Sequence, residues 1–186
     1  MLDKTGEATL AMRAATGDGE AFAELLAQVY PMVFRLGCRL LGDRSEAEDL
    51  AQDIALGLAR KIRGFRGEAA FSTWLYRLVV NAAHDRRRRV GRQARLAQDF
   101  ADIDALRRAG DQARAAEAVW LSEALAALPD DLRTTAVLVL EEDMTQAQVA
   151  HVLGIAEGTV AWRMAEIKRR LRALAARERE AEAGAE

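Results

Sequence analysis

Apolar residues recur at helical spacing along most of this chain. Phe22, Leu25, Leu26, Val29, Val33, Leu36 and Leu40 fall three or four apart. They predict an amphipathic helix that Asp18 caps and Gly42-Asp43 closes. Pro31 lies inside this run, so a kink or break is expected near it. A second stripe, Ala47, Leu50, Ala51, Ile54, Leu58 and Ile62, follows Ser45 and Glu48, which have the S-x-x-E spacing of a capping box. Opposite that stripe lie Glu48, Asp49, Gln52 and Asp53. Gly64 and Gly67 bracket a loop, and FSTWLYRLVVNAAHDRRRR, residues 71–89, predicts a third helix.

The pattern then weakens. Residues 91–117 are polar, Ala-rich and barely periodic, which predicts a flexible linker. Order resumes near Val119, where Leu121, Leu125 and Leu128 precede Pro129, and Leu132, Ala136, Val139 and Leu140 mark a further helix. TQAQVAHVLG and EGTVAWRMAEIKRRLRAL form a last pair, and residues 179–186 read as a disordered tail. The expected fold is all-α: two small helical domains, 1–90 and 118–178, joined by a flexible linker.

The final pair has the form of a helix-turn-helix. Ala150 is small where one helix crosses the next, Gly154 can take the left-handed turn conformation, and Ile155 and Val160 fill the angle between the helices. Val160, Met164, Ile167, Leu171 and Leu174 make a buried stripe. The opposite face carries Thr159, Trp162, Arg163, Glu166, Arg169 and Arg170, the long polar side chains with which a recognition helix reaches base edges. An ordinary helical hairpin with a solvated face fits the same pattern.

Composition adds little, but charge placement adds much. The 186 residues carry a net charge of −2, 51% hydrophobic and 5% aromatic side chains, two prolines and one cysteine. Six arginines lie between Arg86 and Arg95, a basic run spans Arg163 to Arg179, and acids gather between Asp43 and Asp53. The acidic helix face is either solvated or a docking surface for a basic protein. Phe65, Phe71, Trp74 and Tyr76 cluster at the Gly-flanked loop with Arg66, Ser72 and Thr73, and Arg77 and Asn81 follow at helical spacing. Such aromatics can stack unpaired bases, and Arg86, Arg87, Arg88 and Arg89 can hold phosphates. Alternatively Trp74, Leu75, Leu78 and Val79 belong to the core and the arginines are solvated.

Lone Cys38 excludes a disulfide framework or thiolate metal site, and His84 and His151 are too far apart in sequence to suggest a ligand pair. No cofactor, metal or enzymatic chemistry is expected. MLDKTGEATL has no basic-then-apolar signal pattern and no apolar run nears a membrane span, so a cytoplasmic protein without membrane insertion is expected.

Together these strings resemble the extracytoplasmic-function (group four) sigma factors of bacterial RNA polymerase, over nearly the whole chain and in order. SEAEDLAQDIALGLARKI is similar to the family's helix that docks on the polymerase clamp. FRGEAAFSTWLYRLVVNAAHDRRRR is similar to the segment that melts and reads the minus-ten element. LPDDLRTTAVLVLEEDMTQAQVAHVLGIAEGTVAWRMAEIKRRL resembles the domain that reads the minus-thirty-five element. The resemblance implies polymerase contacts at Asp49, Gln52 and Asp53, beside Glu48, and a flipped base read by Asn81 beside the loop from Phe65 to Thr73. It further implies core RNA polymerase (clamp and flap), double- and single-stranded promoter DNA and an anti-sigma factor as partners. The recognition helix departs from the family: Ala161 is uncharged, Trp162 replaces a serine, and Glu166 stands where a basic residue is common. Glu166 could accept a hydrogen bond from a cytosine amino group.

Span matters to this reading. The two promoter elements lie roughly 60–80 Å apart at about 3.4 Å per base pair. A flexible linker of about 27 residues spans about 30 Å on average and about 90 Å when pulled straight. A polymerase that holds the linker extended is therefore implied. A sigma mimic that titrates an anti-sigma factor, or a stand-alone helix-turn-helix regulator, are the other classes of protein compatible with these motifs.

Overall fold

The computed structural model describes residues 4–67, 70–96, 120, 123–125 and 127–183. Among these every regular element is helical, and the chain divides into two compact units, the first built on Met1–Val90 and the second carrying the helix-turn-helix. The expected all-α, two-domain organisation is what forms.

In the first unit, α1 (Lys4–Ala15) leads to α2 (Gly19–Leu41) through a turn closed by Asp18. The Asp18 carboxylate accepts from the Ala21 amide at 3.0 Å, as its position predicts, and it also pairs with Arg13 at 2.6 Å. Helix α2 runs unbroken through Pro31. Pro31 deprives one carbonyl of its partner, that of Ala27 one turn earlier; both residues are exposed, so water can take the place of the missing N–H. Burial of Leu25, Val29, Val33, Leu36 and Leu40 outweighs that one lost bond.

Helix α3 (Arg44–Lys61) starts earlier than the capping-box spacing suggests. Gly42 ends α2 in the left-handed conformation, which leaves Asp43 extended, and Asp43 accepts from the Glu46 amide at 2.7 Å. With the cap supplied by Asp43, Glu48 turns outward to Arg44 at 3.0 Å. A short 3₁₀ turn, Ile62–Gly64, leads into the loop before α4 (Phe71–Leu96). Helix α2 packs along α1 and α3, and Phe71, Leu75, Val79, Val80 and Ala83 of α4 are buried. Helix α4 continues six residues past the expected boundary at position 90. Gly91 costs only about 1 kcal/mol inside a helix, and the surrounding Arg, Gln, Ala and Leu are good helix formers. The rest of the expected linker, 97–117, lies outside the described residues.

In the second unit, α5 (Asp130–Ala136) passes into a π turn, Val137–Glu141, followed by α6 (Gln146–Leu153) and α7 (Glu157–Ala183). Its core joins Leu125, Leu128, Leu132 and Ala136 to Met164 and Ile167 of α7, with Val139 and Leu171 at the margin. Arg133 ties this layer together by donating to the Leu125 carbonyl at 2.9 Å. Helix α7 extends to Ala183 through residues of high helix propensity, where a disordered tail from 179 was expected.

Gly37 sets the separation of α2 and α3. A Cβ there would lie 3.3 Å from both Ala47 Cβ and Leu50 Cδ2. Gly37→Leu is expected to destabilise the first unit by about 1–3 kcal/mol, read as a lower urea midpoint at unchanged slope.

Candidate polymerase and promoter interfaces

The acids of α3 and the arginines of α4, read from sequence as separate surfaces, meet. The Arg86 guanidinium donates to Glu46, to Asp49 Oδ2 at 2.6 Å and to Asp53 Oδ2 at 3.2 Å. Its side chain is only 20% exposed. Burial disfavours the charge on Arg86, yet the hydrogen bond to Glu46 and the fields of Glu46, Asp49 and Asp53 outweigh it and raise its pKa. Arg86 is therefore not a solvated phosphate contact in this conformation, because its donors are already engaged by carboxylates. Glu48, Asp49, Gln52 and Asp53 remain exposed along α3. Leu56 joins them at 80% exposure, three residues beyond Asp53 on the same face. Sequence reading passed over Leu56; its signal is a leucine off the buried stripe of its helix.

At the loop before α4, Phe65, Phe71 and Trp74 form an aromatic triad. Phe65 and Phe71 meet edge to face at 5.4 Å, and Trp74 lies 5.7 Å and 5.6 Å from them. Phe71 is 2% exposed, so it anchors the core and cannot stack a base; Phe65 is also buried. Ser72, Thr73, Trp74 and Tyr76 are half-buried, whereas Arg66, Arg77 and Asn81 are exposed. An open cleft of about 520 Å³ lies beside the triad, lined by Ala8, Met12, Phe65, Arg66, Gly67, Ala70 and Phe71. Arg77, Asn81 and Arg88 follow one another along one side of α4. Arg87 is half-buried, Arg89 is exposed, and Arg88 pairs with Asp85, whose carboxyl it holds below the usual range.

The helix-turn-helix forms as its spacing predicts. Gly154 sits at φ 67° and Val160 is fully buried. The Ile155 amide donates to the Ala150 carbonyl at 3.1 Å. Thr145 and Gln148 cap α6 reciprocally, at 2.8 Å and 3.2 Å. On α7, Thr159 is half-buried while Ala161 and Trp162 are exposed. Arg163 is turned toward α5, 3.4 Å from both Asp131 and Thr135 Oγ1. Glu166 accepts from Arg169 at 2.6 and 2.7 Å and from Arg170 at 2.7 Å. Those bonds, from Arg169 first and then Arg170, lower its pKa to about 2. Its lone pairs are thus directed at arginines of its own helix, not outward at a cytosine amino group.

Two exposed helical interfaces, one acidic and apolar beside a basic helix and the other a helix-turn-helix, define a bipartite protein- and DNA-binding molecule. Residues 25–93 match the family model for Sigma-70 region 2 and residues 124–173 that for Sigma-70, region 4. The ECF RNA polymerase sigma factor SigM of Mycobacterium tuberculosis is 36% identical over 166 residues, 89% of this chain and 82% of the relative. The RNA polymerase sigma-H factor of Pseudomonas aeruginosa is 31% identical over 171 residues, covering 86% and 89%. Two solved structures share the fold at 24% identity. CnrH in complex with the cytosolic domain of CnrY has a TM-score of 0.67 over 91% of this chain and 96% of that one. RpoE with the anti-sigma factor NepR from Bartonella quintana has a TM-score of 0.69 over 82% and 95%. The chain belongs to the ECF RNA polymerase sigma factors, which are transcription initiation factors.

Glu166 gives a pH prediction. Its folded pKa is depressed, so its contribution to stability is complete above its ordinary 4.5 and is lost as pH falls toward about 2. Carboxyl-resolved NMR is expected to place its midpoint near the lower value, and Glu166→Gln to remove that part of the acid-side loss of stability.

Proposed function

We propose that this chain is a dissociable initiation subunit that docks on core RNA polymerase through α3 and directs it to promoters through α4 and α7. The observation that carries the reading is the build of the first unit. The acidic, Leu56-bearing face of α3 and the Arg77–Asn81–Arg88 side of α4 belong to one packed body joined by Arg86. Asp49, Gln52, Asp53 and Leu56, flanked by Glu48, meet a basic and apolar polymerase surface. Leu56 supplies the buried anchor and the acids supply orientation.

Arg66 at the cleft, with Trp74, Arg77 and Asn81 along α4, takes the separated strand of the minus-ten element, and Ser72 and Thr73 lie in the first turn of that helix. Arg87, Arg88 and Arg89 hold the strand's phosphates. In the second unit, Thr159, Ala161, Trp162, Arg169 and Arg170 face the minus-thirty-five duplex, with Arg163 and Glu166 positioning their neighbours. Because the elements lie roughly 60–80 Å apart, the polymerase must fix the distance between the two units, turning two weak grips into one.

RNA synthesis stays with the polymerase; this chain contributes no catalytic step and works in the cytoplasm beside it. The two solved neighbours are complexes with CnrY and NepR, and a restraining protein of that kind is proposed for the same surfaces of this chain.

Run-off transcription with core polymerase on a promoter library tests the reading. Promoter-dependent transcripts are expected, and their absence from every promoter would overturn it. Leu56→Ala is expected to weaken core binding about tenfold, a typical loss for an interface anchor. Melting should be unchanged, since the side chain is 80% exposed.

A further inference from the structure

Trp162 is an unusual side chain to leave in water. It is 63% exposed, and with Leu140 it is one of two large apolar side chains exposed in the described part of the second unit. It lies in the second turn of α7, on the face opposite buried Val160, Met164 and Ile167. Gly158, Ala161 and Ala165 beside it on α7 are small and exposed, leaving most of the indole in solvent. Lys168, Arg169 and Arg172 follow as exposed cations, and Glu166, the acid one turn away, is occupied by Arg169 and Arg170.

The indole is an apolar point with small residues around it and cations behind it. It suits the major groove, where phosphates flank the base edges and one base carries an apolar group. Thymine offers a 5-methyl and an O4 acceptor on the same edge, and an indole offers an apolar ring and an N–H donor. Cytosine offers an amino donor there, which the indole cannot satisfy.

We propose that Trp162 is a specificity-determining residue that reads thymine in the upstream promoter element, packing its ring on the 5-methyl group. The proposal rests on α7 being the recognition helix. Arg169 and Arg170, oriented by Glu166, hold the backbone while Trp162 selects the base.

The test uses holoenzyme reconstituted from core polymerase and the full chain, on a promoter recovered from the library. Each upstream thymine is replaced in turn by deoxyuridine, which removes the methyl and keeps O4. At one position the substitution is expected to lower promoter affinity about fourfold, the equivalent of one buried methyl. With Trp162→Ala the thymine promoter should lose as much or more, and the deoxyuridine substitution should have no further effect. The inference is overturned if no upstream thymine is sensitive, or if Trp162→Ala keeps the sensitivity. It is equally overturned if Trp162→Ala impairs only binding of a restraining protein. Failure of transcription on every promoter would instead sink the underlying assignment, so the two failures are distinguishable.

Discussion

One guanidinium closes on three carboxylates, and the first unit is organised around that contact. Glu46, Asp49 and Asp53 share one side of α3, where their charges repel. Arg86 from α4 offsets the repulsion and fastens the two helices together. A single exposed pair is worth at most about 1 kcal/mol. Here the cation is mostly shielded and serves three partners, so breaking the set costs more than losing one pair. The helix proposed to meet polymerase and the helix proposed to meet DNA are thereby one body, and Asp49 and Asp53 keep their outer edges exposed.

The second unit uses the same device on a smaller scale. Arg163 is drawn to Asp131 and Thr135 across the domain, and Glu166 gathers Arg169 and Arg170 along α7. In each case an ion pair within the fold decides which charged groups remain available outside it. A basic count overstates the DNA-facing charge, since Arg86 and Arg163 are committed inward. What stands out instead is apolar: Leu56 in one unit and Trp162 in the other.

Long, strongly periodic helices were legible in the sequence because burial dominates their formation. The stripes of α2, α3 and α7 face inward as their spacing predicted, with Phe22, Leu26, Leu171 and Leu174 half-buried, Asp18 caps α2, and Gly154 turns left-handed. Helix α1 was not foreseen; it buries only Leu10 and small alanines with Glu7, a weak pattern. Asp43 displaced Ser45 as a cap because the left-handed Gly42 before it had already set the chain extended. The acidic face of α3, the basic end of α4 and the helix-turn-helix geometry were all read from spacing. Their pairing was not, because which arginine of four in a row turns inward depends on tertiary register. Phe71 illustrates the same limit: an aromatic beside a basic block reads as a stacking platform, yet it is core.

On the proposed reading the two grips are each modest and their reach is set by the polymerase that the factor joins. The first grip depends on α3 and α4 holding one geometry, which makes Arg86 the place to probe. A double-mutant cycle of Arg86→Ala with Asp49→Ala in the full chain, followed by urea unfolding, measures that fastening directly. A coupling of about 1 kcal/mol at low salt, shrinking as salt is raised, is the outcome this architecture requires. Strictly additive losses at every salt concentration would mean that Arg86 does not join the two helices.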